Sequence, residues 1–266
     1  MRIPRLLIIV FTAIVVVVIV VFVVTITRDD EPTPPEPQTP RPDATTLTEP
    51  RPTATATVGP TADLFGNRLE VPASEAGIAL TQDRARRADP SQPDYLIRPP
   101  AGMAWQRGWG GAALPVSIGD GPTSITDGIA SGFARTPQGA GLAAADALGR
   151  ALAAPERTWR QVVATRYRGG GQALLDRFAR SRARTPDAAR YVTVPDGVRI
   201  AQGYSPDYAV VEFAIRDGLG YRIARWPMAW ADGDWRVAVP TEIETLWGPG
   251  TYVDSMTGFG AWRTVS

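Results

Sequence analysis

The sequence predicts an α+β fold: helices followed by a curved antiparallel sheet, preceded by one transmembrane helix and a disordered stalk. Three observations carry this reading. An apolar run fills residues 6–26, a Pro/Thr-rich tract fills residues 27–62, and near Tyr191 the hydrophobic period changes from helical spacing to alternation.

Leu6–Ile26 reads LLIIVFTAIVVVVIVVFVVTI; eighteen of its twenty-one residues are Leu, Ile, Val or Phe, and none is charged. As a helix it would cover about 30 Å, the thickness of the bilayer hydrocarbon. At roughly −0.3 to −0.6 kcal/mol per apolar residue, the eighteen sum to about −5 to −11 kcal/mol in favour of insertion. A cleaved signal peptide has a shorter apolar core and a small-x-small exit. The exit here is VVTITRDD, so the run reads as an uncleaved anchor. Arg2 and Arg5 precede it, and Asp29, Asp30 and Glu31 follow Arg28 at once. Residues 1–5 are therefore expected in the cytoplasm and everything from about Arg28 outside it. The expected partners are the membrane, through one helix, and other envelope proteins.

Composition removes several chemistries. The 266 residues include no Cys and no His, and every basic side chain is Arg. Ser–His–Asp and Cys–His catalysis, His or Cys metal sites and disulfide bracing are all excluded. No metal and no cofactor is expected. Beyond the anchor, 26 Arg face 27 acids, so bulk charge gives no support to nucleic-acid binding.

In residues 29–62, nine Pro and nine Thr leave too few apolar groups for a core. The tract reads as an extended stalk, with a reach on the order of 100 Å at ~3.1 Å per residue. Residues 63–135, rich in Gly and Pro, read as an irregular arm packed on the domain. The arm carries Trp105 and Trp109 in GMAWQRGWGG. Packing is the commoner role for tryptophan; the sharper alternative makes this pair docking aromatics for a partner.

The α+β domain is expected over residues 136–240. Thr136-Pro137 is a capped helix start and Pro155 a stop, with Gly141, Ala145, Leu148 and Leu152 on one face. A second helix is expected over about 156–167, broken by Gly169-Gly170-Gly171, and a third over about 172–184. On the third, Arg177, Arg180 and Arg184 share a face, within a stretch holding nine Arg against three acids between residues 156 and 190. This is a candidate interaction face; the plainer reading is a solvated helix surface. Arg182 falls in the apolar sector, which suggests fraying before it. Strands are then expected at 191–194, 198–204, 207–216, 221–231 and 234–239, the last two joined by Asp232-Gly233, a type I′ hairpin signal. Pro227 marks an edge or bulge. Residues 241–266 read as an aromatic tail covering the domain.

The segments SPDYAVVEFAIR and WPMAWADGDWRV, late in the chain, resemble the nuclear-transport-factor-2-like cone fold. A second, narrower resemblance is carried by the stretches LFGNRLEVP, WQRGWGGAALP, ITDGIASGFARTPQGAGLAAADALGRALAAPE, RYRGGGQALLDRFARSR and WADGDWRVAVP. They are similar to uncharacterised actinobacterial membrane-anchored proteins of integrative conjugative elements. The layout also resembles the bitopic assembly components of type IV secretion systems. That resemblance implies a scaffold in a transfer channel, with no catalytic residues to carry over.

A structural or assembly role at the envelope is therefore the first functional expectation. The alternative is a module binding a small ligand or cell-wall polymer. An enzyme is least favoured: Tyr204, Asp207, Tyr208 and Tyr221 are the only grouping suggested for a cone-type site, and Glu242 with Glu244 for a glycosidase pair.

Overall fold

One helix, α1 (Pro137–Ala153), organises the domain. This computed structural model describes residues 59–263. Thr136 has extended backbone and its hydroxyl accepts the Gly139 N–H at 3.0 Å. Pro137 takes the first helical position, where no N–H is required. Thirteen of the seventeen α1 residues are buried, most of them Ala or Gly. Glycine costs a helix about 1 kcal/mol against alanine. Two of these glycines answer to packing: a Cβ at Gly139 would strike the Ala134 carbonyl, and one at Gly141 the Trp262 ring.

Helix α2 (Glu156–Arg166) runs into a two-residue strand, β7 (Tyr167–Arg168). Three glycines with positive φ, Gly169–Gly171, then turn the chain into α3 (Gly171–Arg184). The third helix does not fray. Arg182 reaches inward and donates to the Ala151, Leu152 and Ala154 carbonyls, at 2.7 Å to the last. A residue that breaks the apolar pattern of α3 thus caps the C-terminus of α1.

Four strands follow: β8 (Gly197–Ile200), β9 (Tyr208–Asp217), β10 (Gly220–Ala231) and β11 (Asp234–Ala238). With β7 they form a sheet in the order β7-β11-β10-β9-β8. Asp232 and Gly233 both have positive φ (50° and 77°), the backbone of a type I′ turn. A last short strand, β12 (Thr251–Val253), pairs residues 221–223 of β10, whereas β11 pairs residues 228–231. Pro227, lacking an N–H, sits in the interval between these two partners. Val198, Ile200, Val211, Trp226, Met228, Trp235 and Val237 build one core with α1, α2 and α3.

The expected fold class needs correction. Helices do not come first. Six short strands precede α1: β1 (Thr61–Ala62), β2 (Arg68–Leu69), β3 (Ala104–Arg107), β4 (Ala113–Val116), β5 (Ser124–Thr126) and β6 (Ile129–Ser131). They form three antiparallel hairpins, so the arm is not irregular. Nor is the main sheet purely antiparallel, because β7 pairs β11 in parallel, Tyr167 beside Val237. This mixed architecture departs from the helix-then-sheet plan that the cone resemblance implies. Strands of two to four residues fall below the window in which alternation can be read. The expected strand at 191–194 is also absent: a 3-10 turn (Ala188–Tyr191) leads into extended chain that crosses under β4, where the Ala113 N–H donates to the Val192 carbonyl at 2.8 Å. The expected transmembrane helix, residues 6–26, and nearly all of the stalk lie outside the described residues. Among the described residues, no helix is long and apolar enough to cross a membrane.

Candidate functional site

The space between α1 and the sheet holds a cavity of about 80 Å³. Ala145, Leu148 and Leu152 supply the helix side, and Phe213, Ile215, Ala224 and Trp226 the sheet side. The chain at Tyr191–Pro195 and the Trp105 ring close it. Alternation along β9 and β10 delivers these side chains to one face, and the i, i+3, i+7 spacing of α1 delivers the opposing set. The walls are apolar. The indole N–H of Trp226 is buried and has no acceptor among the described residues. The space suits two or three waters or a small apolar group. A wider groove of about 480 Å³ runs past Leu96, Arg199, Ile200 and Glu212. Its buried carboxylate, Glu212, is already engaged by Arg199 at 2.6 Å and Arg225 at 3.2 Å.

Below the cavity, α1 carries charge. Asp146 and Arg150, both fully buried, pair at 2.7 Å one helical turn apart. Arg150 also donates to the Ala76 carbonyl at 2.8 Å and the Gly128 carbonyl at 2.9 Å, tying two arm segments to the helix. Burial pushes the Asp146 carboxyl up, against the pull of Arg150 and Arg166. Burial and the nearby Asp146 charge raise the Tyr167 phenol well above its ordinary range. Asp234 accepts from Arg166 at 2.5 Å and from the Gly132, Phe133 and Trp235 N–H groups, so β11, α2 and the β6 exit meet there. These groups hold segments together. Within this cluster, Asp146 Oδ2, Arg150 Nη2, Arg166 Nε and Tyr167 Oη are buried without a hydrogen-bond partner among the described residues.

Residues 70–261 match the family model described as Domain of unknown function (DUF8175). The chain belongs to this family. No curated protein and no solved structure matches it. The DUF8175 region takes in most of the arm, all three helices, the main sheet and nearly all of the described tail.

Within the DUF8175 region the sequence-derived site residues fall as follows. Trp105 is buried, and its Nε1 donates to the Trp262 carbonyl at 2.6 Å. Trp109 is half-buried, with the Arg150 guanidinium 5.7 Å from its ring. As docking aromatics they are corrected: both pack the arm onto the domain. The arginine face is divided. Arg177 is buried, bonds Glu244 at 2.9 Å and stacks on Trp247 at 4.6 Å, so it holds the tail to α3. Arg180 and Arg184 are exposed.

The enzyme grouping does not assemble. Tyr208 pairs with Ala229 and Tyr221 with Arg216, placing them at opposite ends of β10, roughly 26 Å apart at ~3.3 Å per residue. Asp207 is bound to Arg135, and the Tyr204 hydroxyl donates to the Arg135 carbonyl at 3.3 Å. Glu244 is engaged by Arg177, and Glu242 starts a 3-10 turn (Ile243–Trp247) rather than lying on a strand. Sequence reasoning missed Arg150, Asp146 and Asp234. A buried i, i+4 Asp–Arg pair reads in sequence as an ordinary exposed helix pair. Only the absence of other charge on α1 marks it.

Proposed function

We propose that this DUF8175 protein is a single-pass envelope protein, anchored by residues 6–26, whose domain outside the cytoplasm serves assembly and does no catalysis. The carrying observation is that arm and tail are sewn onto α1. Trp105 bonds the Trp262 carbonyl, and the Trp262 indole donates to the Ile97 carbonyl at 3.0 Å. Trp247 joins Tyr167, Phe178 and Trp226 in a closed ring of edge-to-face contacts with centroids 5.2–6.5 Å apart. Such a block, held by a Pro/Thr stalk, suits a scaffold that presents fixed surfaces. The resemblance to conjugative-element proteins favours a transfer apparatus as the assembly. Capture of the tagged protein from crosslinked membranes tests this: other envelope proteins should be enriched, and deletion should reduce DNA transfer in a host carrying the element. Recovery of bulk lipoproteins alone, with transfer unchanged, would overturn it.

The cavity beneath Trp226 favours a second reading, a module for a small apolar ligand. Its apolar walls and unpartnered indole N–H suit a molecule with one hydrogen-bond acceptor and no charge. They suit a wall sugar poorly. A screen of small neutral carbonyl compounds by thermal shift separates this reading, since a bound ligand raises the melting temperature with concentration.

A further inference from the structure

The two hairpin tips of β10 differ in kind. One, Asp232-Gly233, is polar. The other, Gly218-Leu219, joins β9 to β10 and carries a Leu219 side chain that is 100% exposed. Gly218 has φ +61°, and a type II′ turn requires glycine only at that first central position. The second position places no demand for an apolar residue, so turn geometry does not explain Leu219. Its surroundings share the character. Tyr252 on β12 is 46% exposed, and its hydroxyl closes over Gly220.

The entry of the chain into the domain lies at this same end. The Asp63 carboxylate accepts the Val194 N–H at 2.9 Å, and Asp196, two residues on, accepts the Arg216 N–H at 2.8 Å. Leu64 and Phe65, the next residues after Asp63, are 42% and 54% exposed. Leu64, Phe65, Leu219 and Tyr252, four of the six exposed large hydrophobic residues among the described residues, therefore lie on segments that these contacts link. The arginines there are already occupied. Arg222 pairs Asp217 at 2.5 Å, and Arg216 and Arg263 share Asp196 at 3.8 and 3.1 Å. What this end offers a bilayer is apolar side chains and a tyrosine, with little net charge.

We propose that the stalk end of the domain docks on the bilayer that anchors the chain, with Leu219 inserted below the headgroups and Tyr252 at their level. This rests on the anchored reading of residues 6–26. One leucine binds weakly by itself. A tether that keeps it beside the membrane raises its effective concentration, so shallow insertion suffices. Because the local charges are paired, docking is indifferent to anionic lipid.

The chain has no cysteine, so Leu219→Cys provides a single labelling site on an exposed turn. The full chain with an environment-sensitive fluorophore there is reconstituted in phosphatidylcholine vesicles, with and without phosphatidylglycerol, carrying a shallow nitroxide quencher. Tyr208→Cys, at the opposite end of the sheet, is the control. The Leu219 label should shift to the blue and be quenched in both compositions, several-fold more than the control. In the unlabelled chain, Leu219→Asp should speed protease cutting of the stalk several-fold. If alkaline carbonate strips the chain from the vesicles, the anchored reading itself fails. If the chain stays embedded and the label remains water-like, docking alone is overturned. It is equally overturned if the shift depends on protein density rather than lipid, which would make the occupant a second copy.

Discussion

The Trp105 indole N–H donates to the Trp262 carbonyl at 2.6 Å across 157 residues, fastening the arm to the tail over the buried helix α1. The contact depends on Gly141, because any Cβ there would meet the Trp262 ring. Alanine ordinarily stabilises a helix by about 1 kcal/mol over glycine. At position 141 the sign should reverse. Gly141→Ala is expected to cost about 1–3 kcal/mol through overpacking. In a Trp262→Ala background, itself about 3–5 kcal/mol less stable, the same change should be neutral or stabilising. Urea unfolding of the four proteins checks this, and additive effects would show that the ring does not set the need for glycine.

A second buried contact ties the start of α1 to the arm. Asp120 is almost fully buried and accepts the Thr136 hydroxyl at 2.7 Å, with Arg87 3.9 Å away. Burial raises its pKa above the ordinary 3.8, and the bond from Thr136 and the Arg87 charge only partly offset this. The native protein then holds a proton that the unfolded chain has released, between 3.8 and the raised value. Stability contributed by this group falls as pH rises through that window. Relative to Asp120→Asn, the parent protein should lose stability as pH climbs from about 4, then stay level once Asp120 is ionised in both states. Unfolding free energies over a pH series test the sign, and a difference that grows in the parent's favour with rising pH contradicts it.

The arginines of α3 are expected to separate into members that stabilise the domain and members that contribute little, Arg180 among the latter because its 3.6 Å pair with Glu244 is exposed. Arg182→Ala removes the donors to three carbonyls at the end of α1 and should cost roughly 2 kcal/mol. Arg184→Ala and Arg180→Ala should stay within about 0.5 kcal/mol of the parent. The melting temperature measures the first effect. The second pair belongs in the crosslinking capture, where loss of a partner without loss of stability would mark a docking face.

Which parts were legible follows from length and locality. The cap at Thr136, the stop at Pro155 and the Asp232-Gly233 turn are local chemistry, and each is found where its residues place it. β9 and β10 are long enough for alternation to show. The arm hairpins were not legible, because two- to four-residue strands carry no period. The parallel pairing of β7 was hidden for the same reason. At the candidate site, Leu148, Leu152 and Phe213 were legible as apolar faces, but the cavity between them is a property of packing distance. Arg182 misled because an inward arginine, whose stem is apolar, occupies a core sector when its head finds carbonyls.

The Asp146–Arg150 pair makes the sharpest claim about what holds the arm. Both side chains are fully buried, and Arg150 alone bonds Ala76 and Gly128. Removing either partner strands the other, but not equally. A guanidinium cannot shed its proton, so Asp146→Leu leaves a permanent buried charge and should cost about 3–5 kcal/mol. Arg150→Met leaves a carboxyl already pushed up by burial, which can escape by taking a proton. That variant should therefore be nearly as stable as its two orphaned carbonyls permit at acid pH, and lose stability as pH rises. The double variant should be less harmed than the sum of the singles, by a coupling of about 1–3 kcal/mol. Hydrogen exchange provides the local readout: in both Arg150 variants the amides around Ala76 and Gly128 should exchange faster than those of β9 and β10. Uniform loss across the domain would show that the pair serves α1 alone and that the arm is held by its tryptophans.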